Sequence, residues 1–256
     1  MKKIILIILG LVTIGFTACK PDEEPKPQVE PESVEPTNSS LRLTISHNIG
    51  ANDMVYNENI ILPSSESAQV SRLSYILGHF YLINDNNEKV LLNDQYALID
   101  AQKGNESITL TDIPFGRYTS IGFSLGLDSA TNHGNPNQYS TDHPLSPINN
   151  SLHWGWLNGY IFTALEGKTA GGESFVFHLA GAQNRLDFEM TTSIITTAAD
   201  TSKEAMMTYD INEIFQNPEI YTISTDGASS HSTTSPVTVK LIGNMADVFS
   251  DFRVTK

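Results

Sequence analysis

Leu41-Arg42-Leu43-Thr44-Ile45-Ser46 alternates apolar and polar residues with a period of two. Successive side chains of an extended chain point to opposite faces, so this pattern predicts a strand with one buried and one solvated face. The pattern recurs downstream. Leu73, Tyr75 and Leu77 alternate within a strand running toward Ile83, and Asn84-Asp85-Asn86-Asn87 supplies turn residues at its end. Lys89–Leu92, Tyr96–Asp100, Ser107–Leu110, Tyr118–Leu127, Tyr160–Glu166, Ser174–Ala180, Arg185–Met190 and Val237–Ile242 are further strand candidates. Short strands separated by turn residues predict an all-β fold, an antiparallel β-sandwich. Asp128–Leu152, with His133, Asp142 and His143 among Gly, Asn and Pro, reads as a long loop insertion. Only Tyr209–Phe215 and Asn244–Ser250 space their apolar residues as helices do, so one or two short helices are expected near the C-terminus.

The strands occupy residues 41–256, enough for one domain with a sizeable core. Ahead of them, Met1-Lys2-Lys3 and the apolar run Ile4–Ala18 have the flanks and length of a signal peptide, residues 1–18. That run is too short for a spanning helix, which needs roughly 20 apolar residues. It ends in Phe16-Thr17-Ala18-Cys19, and small residues before the single cysteine of the chain predict cleavage and lipidation at Cys19. A lipidated chain sits on a membrane without crossing it. Residues 19–40, Pro-rich and acidic with few apolar side chains, read as an extended tether. With Cys19 acylated, no disulfide is available and stability must come from the core.

The formal charge is −14. Residues 1–40 hold six acids and four bases, which leaves the domain at −12. A nucleic-acid binder carries a basic footprint, and no Lys/Arg cluster exists here, so nucleic acid is excluded as a partner and anionic lipid is disfavoured. GxSxG, HExxH, GxGxxG and P-loop spacings are missing, and the chain is expected not to be an enzyme.

Several blocks resemble one family in order. Trp154-Gly155-Trp156-Leu157-Asn158-Gly159-Tyr160, ending in Glu166-Gly167, resembles the W-x-W-x-x-G-Y-x-x-x-x-x-E-G block of the MbnP-like family. Phe175-Val176-Phe177-His178-Leu179-Ala180-Gly181 resembles its F-x-F-H-[IL]-G-G strand. Ser71–Leu77, Ile113–Asp128 and Asn244–Phe249 resemble further family segments, and His47 closes the first strand where many members carry His. His79, His153 and Ala180 depart from the pattern.

The resemblance implies an extracytoplasmic copper-binding protein. In methanotroph members of the family, copper is held by histidines together with a tryptophan oxidised to kynurenine. It further implies one copper ion of either oxidation state, a kynurenine derived from Trp154 or Trp156, and a di-haem peroxidase as the partner able to make it. Imidazole suits copper. An intact indole only donates through N–H, whereas kynurenine offers an amine and a ketone. On this resemblance the expected ligands are His47 and His178, converging near Trp154 or Trp156, with His231 in a Ser/Thr-rich loop as a third candidate. His79, His133 and His143 are read as surface or loop residues. Lys20-Pro21-Asp22-Glu23-Glu24 resembles the acidic export signal of Bacteroidetes surface lipoproteins, which implies the outer face of the outer membrane. The competing expectation is a structural or adhesive, glycan-binding sandwich without metal, for which histidines would scatter and an aromatic strip would be exposed.

Overall fold

The computed structural model describes residues 37–155 and 159–256. Cys19 and the signal and tether segments up to residue 36 therefore lie outside the described residues, as does Trp156. The strands are β1 (Asn38–Ile49), β2 (Asn52–Asp53), β3 (Ile60–Ile61), β4 (Ser67–Asn84), β5 (Lys89–Leu91), β6 (Ala97–Asp100) and β7 (Ser107–Pro114). They continue as β8 (Gly116–Leu125), β9 (Ile161–Thr169), β10 (Ser174–Ala180), β11 (Leu186–Thr196), β12 (Ser202–Asp210), β13 (Ser229–Ser230) and β14 (Phe249–Val254).

Two sheets result. β14-β12-β1-β2, with β7 also on β1, form a five-stranded sheet; β11-β8-β4-β9-β10-β13 form the backbone of a nine-stranded one, with β3, β5 and β6 on β4. The all-β sandwich expectation holds. Its purely antiparallel character does not, because β1 pairs with β12 in parallel and β10 with β13 in parallel.

The period-two reading explains the core. Leu41, Leu43 and Ile45 of β1 are fully buried and meet Leu73, Tyr75, Leu77, Phe175 and Phe177 of the other sheet in one hydrophobic cluster. Each large apolar side chain so buried contributes about 1.5–3 kcal/mol. The alternate residues of β4 and β9, Ile76 and Ala164, face the opposite side of the nine-stranded sheet. There they join a second cluster with Leu127, Leu145, Leu152, Tyr160 and Phe162. The long loop insertion is thus a cover, carrying short helices α1 (Ser129–Asn132) and α2 (Pro147–Asn150) over the outer face of the sheet.

The C-terminal part departs from expectation. Val237–Ile242 is not a strand but lies within helix Pro236–Asn244, started by Ser235, whose side chain accepts from the Thr238 N–H, with Pro236 in the first turn. The apolar run misled because a short apolar segment has no decisive period. Ile211–Phe215 is a 3-10 helix rather than an α-helix, opened by the Asp210 side chain accepting from Asn212 N–H. Of the expected Asn244–Ser250 helix, Asn244 ends the helix Pro236–Asn244, Met245–Asp247 is a 3-10 turn, and Phe249 begins β14.

Candidate metal centre

β10 carries the core row Phe175, Phe177, Leu179 on one face and Ser174, Val176, His178 on the other. His178 therefore projects from the outer face of the nine-stranded sheet. On one side, the parallel pairing Phe177↔Ser230 sets the register with β13, so the next residue of each chain brings His231 beside His178. Their ring centroids are 4.9 Å apart and the planes nearly perpendicular, at 71°. The segment just after the loop insertion adds Trp154. Its backbone is held by Trp154 N–H donating to Gly159 O at 2.9 Å, beside the His153–Tyr160 bridge. The Trp154 ring lies 6.4 Å from His231, stacked at 28°, and 6.3 Å from His178.

On the other side of His178 lies Glu166 of β9, opposite Val176 and so one diagonal step from His178 on the same face. Its Oε1 accepts from His178 Nε2 at 2.9 Å and from Arg72 Nη1 at 2.8 Å. Burial alone would raise the Glu166 carboxyl, but the His178 hydrogen bond and the Arg72 guanidinium outweigh it and hold the group below the usual carboxylate range. His178 Nδ1 is buried and has no hydrogen-bond partner. A buried polar atom left without a partner is costly and asks for an explanation.

His47 does not join this cluster. It continues the inward row Leu41, Leu43, Ile45 of β1 and points between the sheets, where its Nε2 meets the Tyr75 hydroxyl at 2.9 Å. Tyr75 belongs to the main core, whereas His178 is on the far face of the same sheet. The expected meeting of His47 and His178 is therefore replaced by a meeting of His178 with His231 and Trp154.

The remaining histidines have local partners. His143 stacks on Tyr139 at 4.3 Å, and its Nδ1 accepts from Leu145 N–H. His153 Nδ1 accepts from Gly155 N–H, and its ring packs edge-on against Tyr160. His133 contacts the Asn132 amide. His79 links Ser124 Oγ at 3.0 Å to Asp128 Oδ2 at 2.6 Å, a serine–histidine–carboxylate chain the sequence reading did not foresee. Ser124 is fully buried, and its hydroxyl faces the carbonyls of Gly126 and Gly78, so this chain ties strands to the loop rather than presenting a nucleophile.

Among the described residues, no group of three or more His, Cys, Asp or Glu side chains gathers at metal-binding spacing. The cluster offers two imidazoles, and the carboxylate nearest them is already shared by Arg72 and His178. Two thiolate-free imidazoles suit copper better than they suit a hard cation, which takes oxygen donors. A third donor would come from an oxidised indole, since an intact one offers only its N–H.

The fold and the cluster together define an all-β sandwich with a histidine pair on one outer sheet face, framed by a tryptophan and a carboxylate. The MbnP family model matches residues 38–235, and the chain belongs to the MbnP family. Among solved structures, MbnP from Methylosinus trichosporium is similar in fold, with a TM-score of 0.56 over 85% of this chain and 99% of that one, at 14% identity. A comparison with curated proteins finds no match.

Proposed function

We propose that this chain binds one copper ion at the outer face of the nine-stranded sheet, with His178 and His231 as imidazole donors and Trp154 as the adjoining residue. The observation that carries this reading is the buried, unpartnered Nδ1 of His178, whose other nitrogen is bound to a carboxylate while a second imidazole stands beside it. This is the arrangement of a metal-ligating histidine, which bonds its second ring nitrogen to a carboxylate, carbonyl or water. Membership of the MbnP family supports copper over other soft or borderline ions. Oxidation of Trp154 to kynurenine by a separate di-haem peroxidase would complete the donor set, and the protein would hold or pass on copper without turnover of its own. The signal-like run ending at Cys19 supports placement as an acylated lipoprotein on the outer membrane, facing outward.

Equilibrium dialysis of copper against full-length protein from its native host, beside His178→Ala and His231→Ala variants, tests the reading. One equivalent in the wild type, lost in both variants, is expected. A wild type that retains no copper would sink it and leave the adhesive sandwich in front.

A further inference from the structure

We infer that Glu166, fixed by Arg72, is a positioning residue that selects which nitrogen of His178 faces the metal; this rests on the copper reading above. Arg72 and Glu166 are paired in register across β4 and β9, and Glu166 is paired with Val176 across β9 and β10. The three residues form one row on the outer face. Both Arg72 Nη1 and His178 Nε2 converge on a single oxygen, Oε1, and Arg72 is braced in turn by donating from Nε to Ser74 Oγ at 3.2 Å.

An ionised carboxylate only accepts hydrogen bonds. Nε2 must therefore carry the hydrogen, and in the neutral imidazole the lone pair is then confined to Nδ1. That is the atom the fold leaves buried and unpartnered. The same contact restrains rotation of the ring, whose centroid lies 4.9 Å from that of His231. Arg72 has a further effect. By holding the carboxylate to itself and to His178, it keeps Glu166 from acting as an anionic ligand, so the neighbouring donors are neutral nitrogens. None of this was visible in the sequence beyond Glu166 falling in the E-G end of a motif.

The test combines two readouts on wild type, Glu166→Ala, Glu166→Gln and Arg72→Gln. The first is the imidazole tautomer of His178 in the metal-free protein, read from its nitrogen chemical shifts by NMR. The second is copper affinity, measured with Cu(I) against a chromophoric chelator. The wild type should show a single tautomer protonated at Nε2, and Glu166→Ala should lose it. Copper affinity in Glu166→Ala should fall about 10–100-fold with stoichiometry kept, as outer-shell losses do. Glu166→Gln, whose amide oxygen still accepts, should recover most of both, and Arg72→Gln should lie between. An unchanged tautomer with unchanged affinity in Glu166→Ala overturns the inference. Complete loss of copper in both Glu166 variants also overturns it, because Glu166 would then be a ligand. If the wild type takes up no copper the underlying function falls, and the tautomer still decides whether Glu166 positions His178.

Discussion

His47 Nε2 and the Tyr75 hydroxyl meet at 2.9 Å inside the sandwich and tie the five-stranded sheet to the nine-stranded one. Tyr209 completes the group, stacked on Tyr75 at a centroid distance of 4.8 Å. Desolvation pushes the His47 imidazole down to about 4. Glu106 lies 3.6 Å from Nδ1, but its side chain is 44% exposed, so solvent screens its charge and burial prevails.

The first prediction concerns acid. Between the unfolded value of about 6.5 and the folded value of about 4, the unfolded chain binds a proton at His47 that the folded chain does not. Stability contributed by this group is complete above about pH 6.5 and is lost as the pH falls toward about 4. The loss should be about 3 kcal/mol, from 1.36 kcal/mol per pKa unit. Urea denaturation at several pH values through that window should show it, and His47→Gln should flatten the profile. Equal slopes for the two proteins would mean that His47 is not the group responsible.

A second prediction separates the two histidine environments. His47→Gln should bind copper with wild-type stoichiometry, because His47 faces the interior while His178 faces outward from the other sheet. The dialysis used for His178→Ala measures this directly; loss of copper in His47→Gln would restore the interior histidine as a ligand.

Gly167 follows Glu166 and lets β9 lie close against β4 and β10 on the core side of the sheet. A Cβ at Gly167 would overlap the Gln69 carbonyl oxygen on β4 and the Phe175 ring on β10. The first of these is backbone and cannot swing away. Gly167→Ala should therefore destabilise the protein by about 3 kcal/mol, as overpacking in a closed site does. Thermal unfolding checks this, and a shift within error of zero would show that the strands can part.

Asp128 anchors the loop cover. It accepts from Thr131 N–H at 2.8 Å as the cap of α1 and from His79 Nε2 at 2.6 Å. Asp128→Ala should cost about 1 kcal/mol for the cap and speed hydrogen exchange in residues 129–155. Uniform exchange across the domain would mean that the loop does not loosen on its own. His79 itself sits at φ 52 within β4, a conformation uncommon for a residue with a Cβ, and its two side-chain bonds hold it there.

Much of this molecule was legible from local pattern. The alternation of Leu41, Leu43 and Ile45 extends to His47 and sets it in the same inward row, whereas the alternation of Phe175, Phe177 and Leu179 sets His178 on the opposite face. The expectation that the two meet came from family resemblance alone. Ser174–Ala180 was read as a strand with the observed bounds. His231 was visible only as a third candidate, because its neighbourhood depends on a parallel pairing of β10 with a strand of two residues, Ser229–Ser230. Glu166 and Arg72 were missed for the same reason: they are 94 residues apart and meet only through the register of β4 on β9. The helix Pro236–Asn244 was mistaken for a strand, although Ser235-Pro236 is a start signal that could have identified it.

By itself the sequence determined the all-β class, the inward rows of β1 and β4 and the imidazole-bearing residues suited to copper. Those properties follow from the period of two and from side-chain chemistry, which are local. Tertiary structure alone decided which histidines meet, which nitrogen of His178 is left without a partner, and that the long loop lies over the outer sheet face. These depend on strand order and register, where a shift of one residue turns a side chain from the core to the solvent, and no local pattern carries that information.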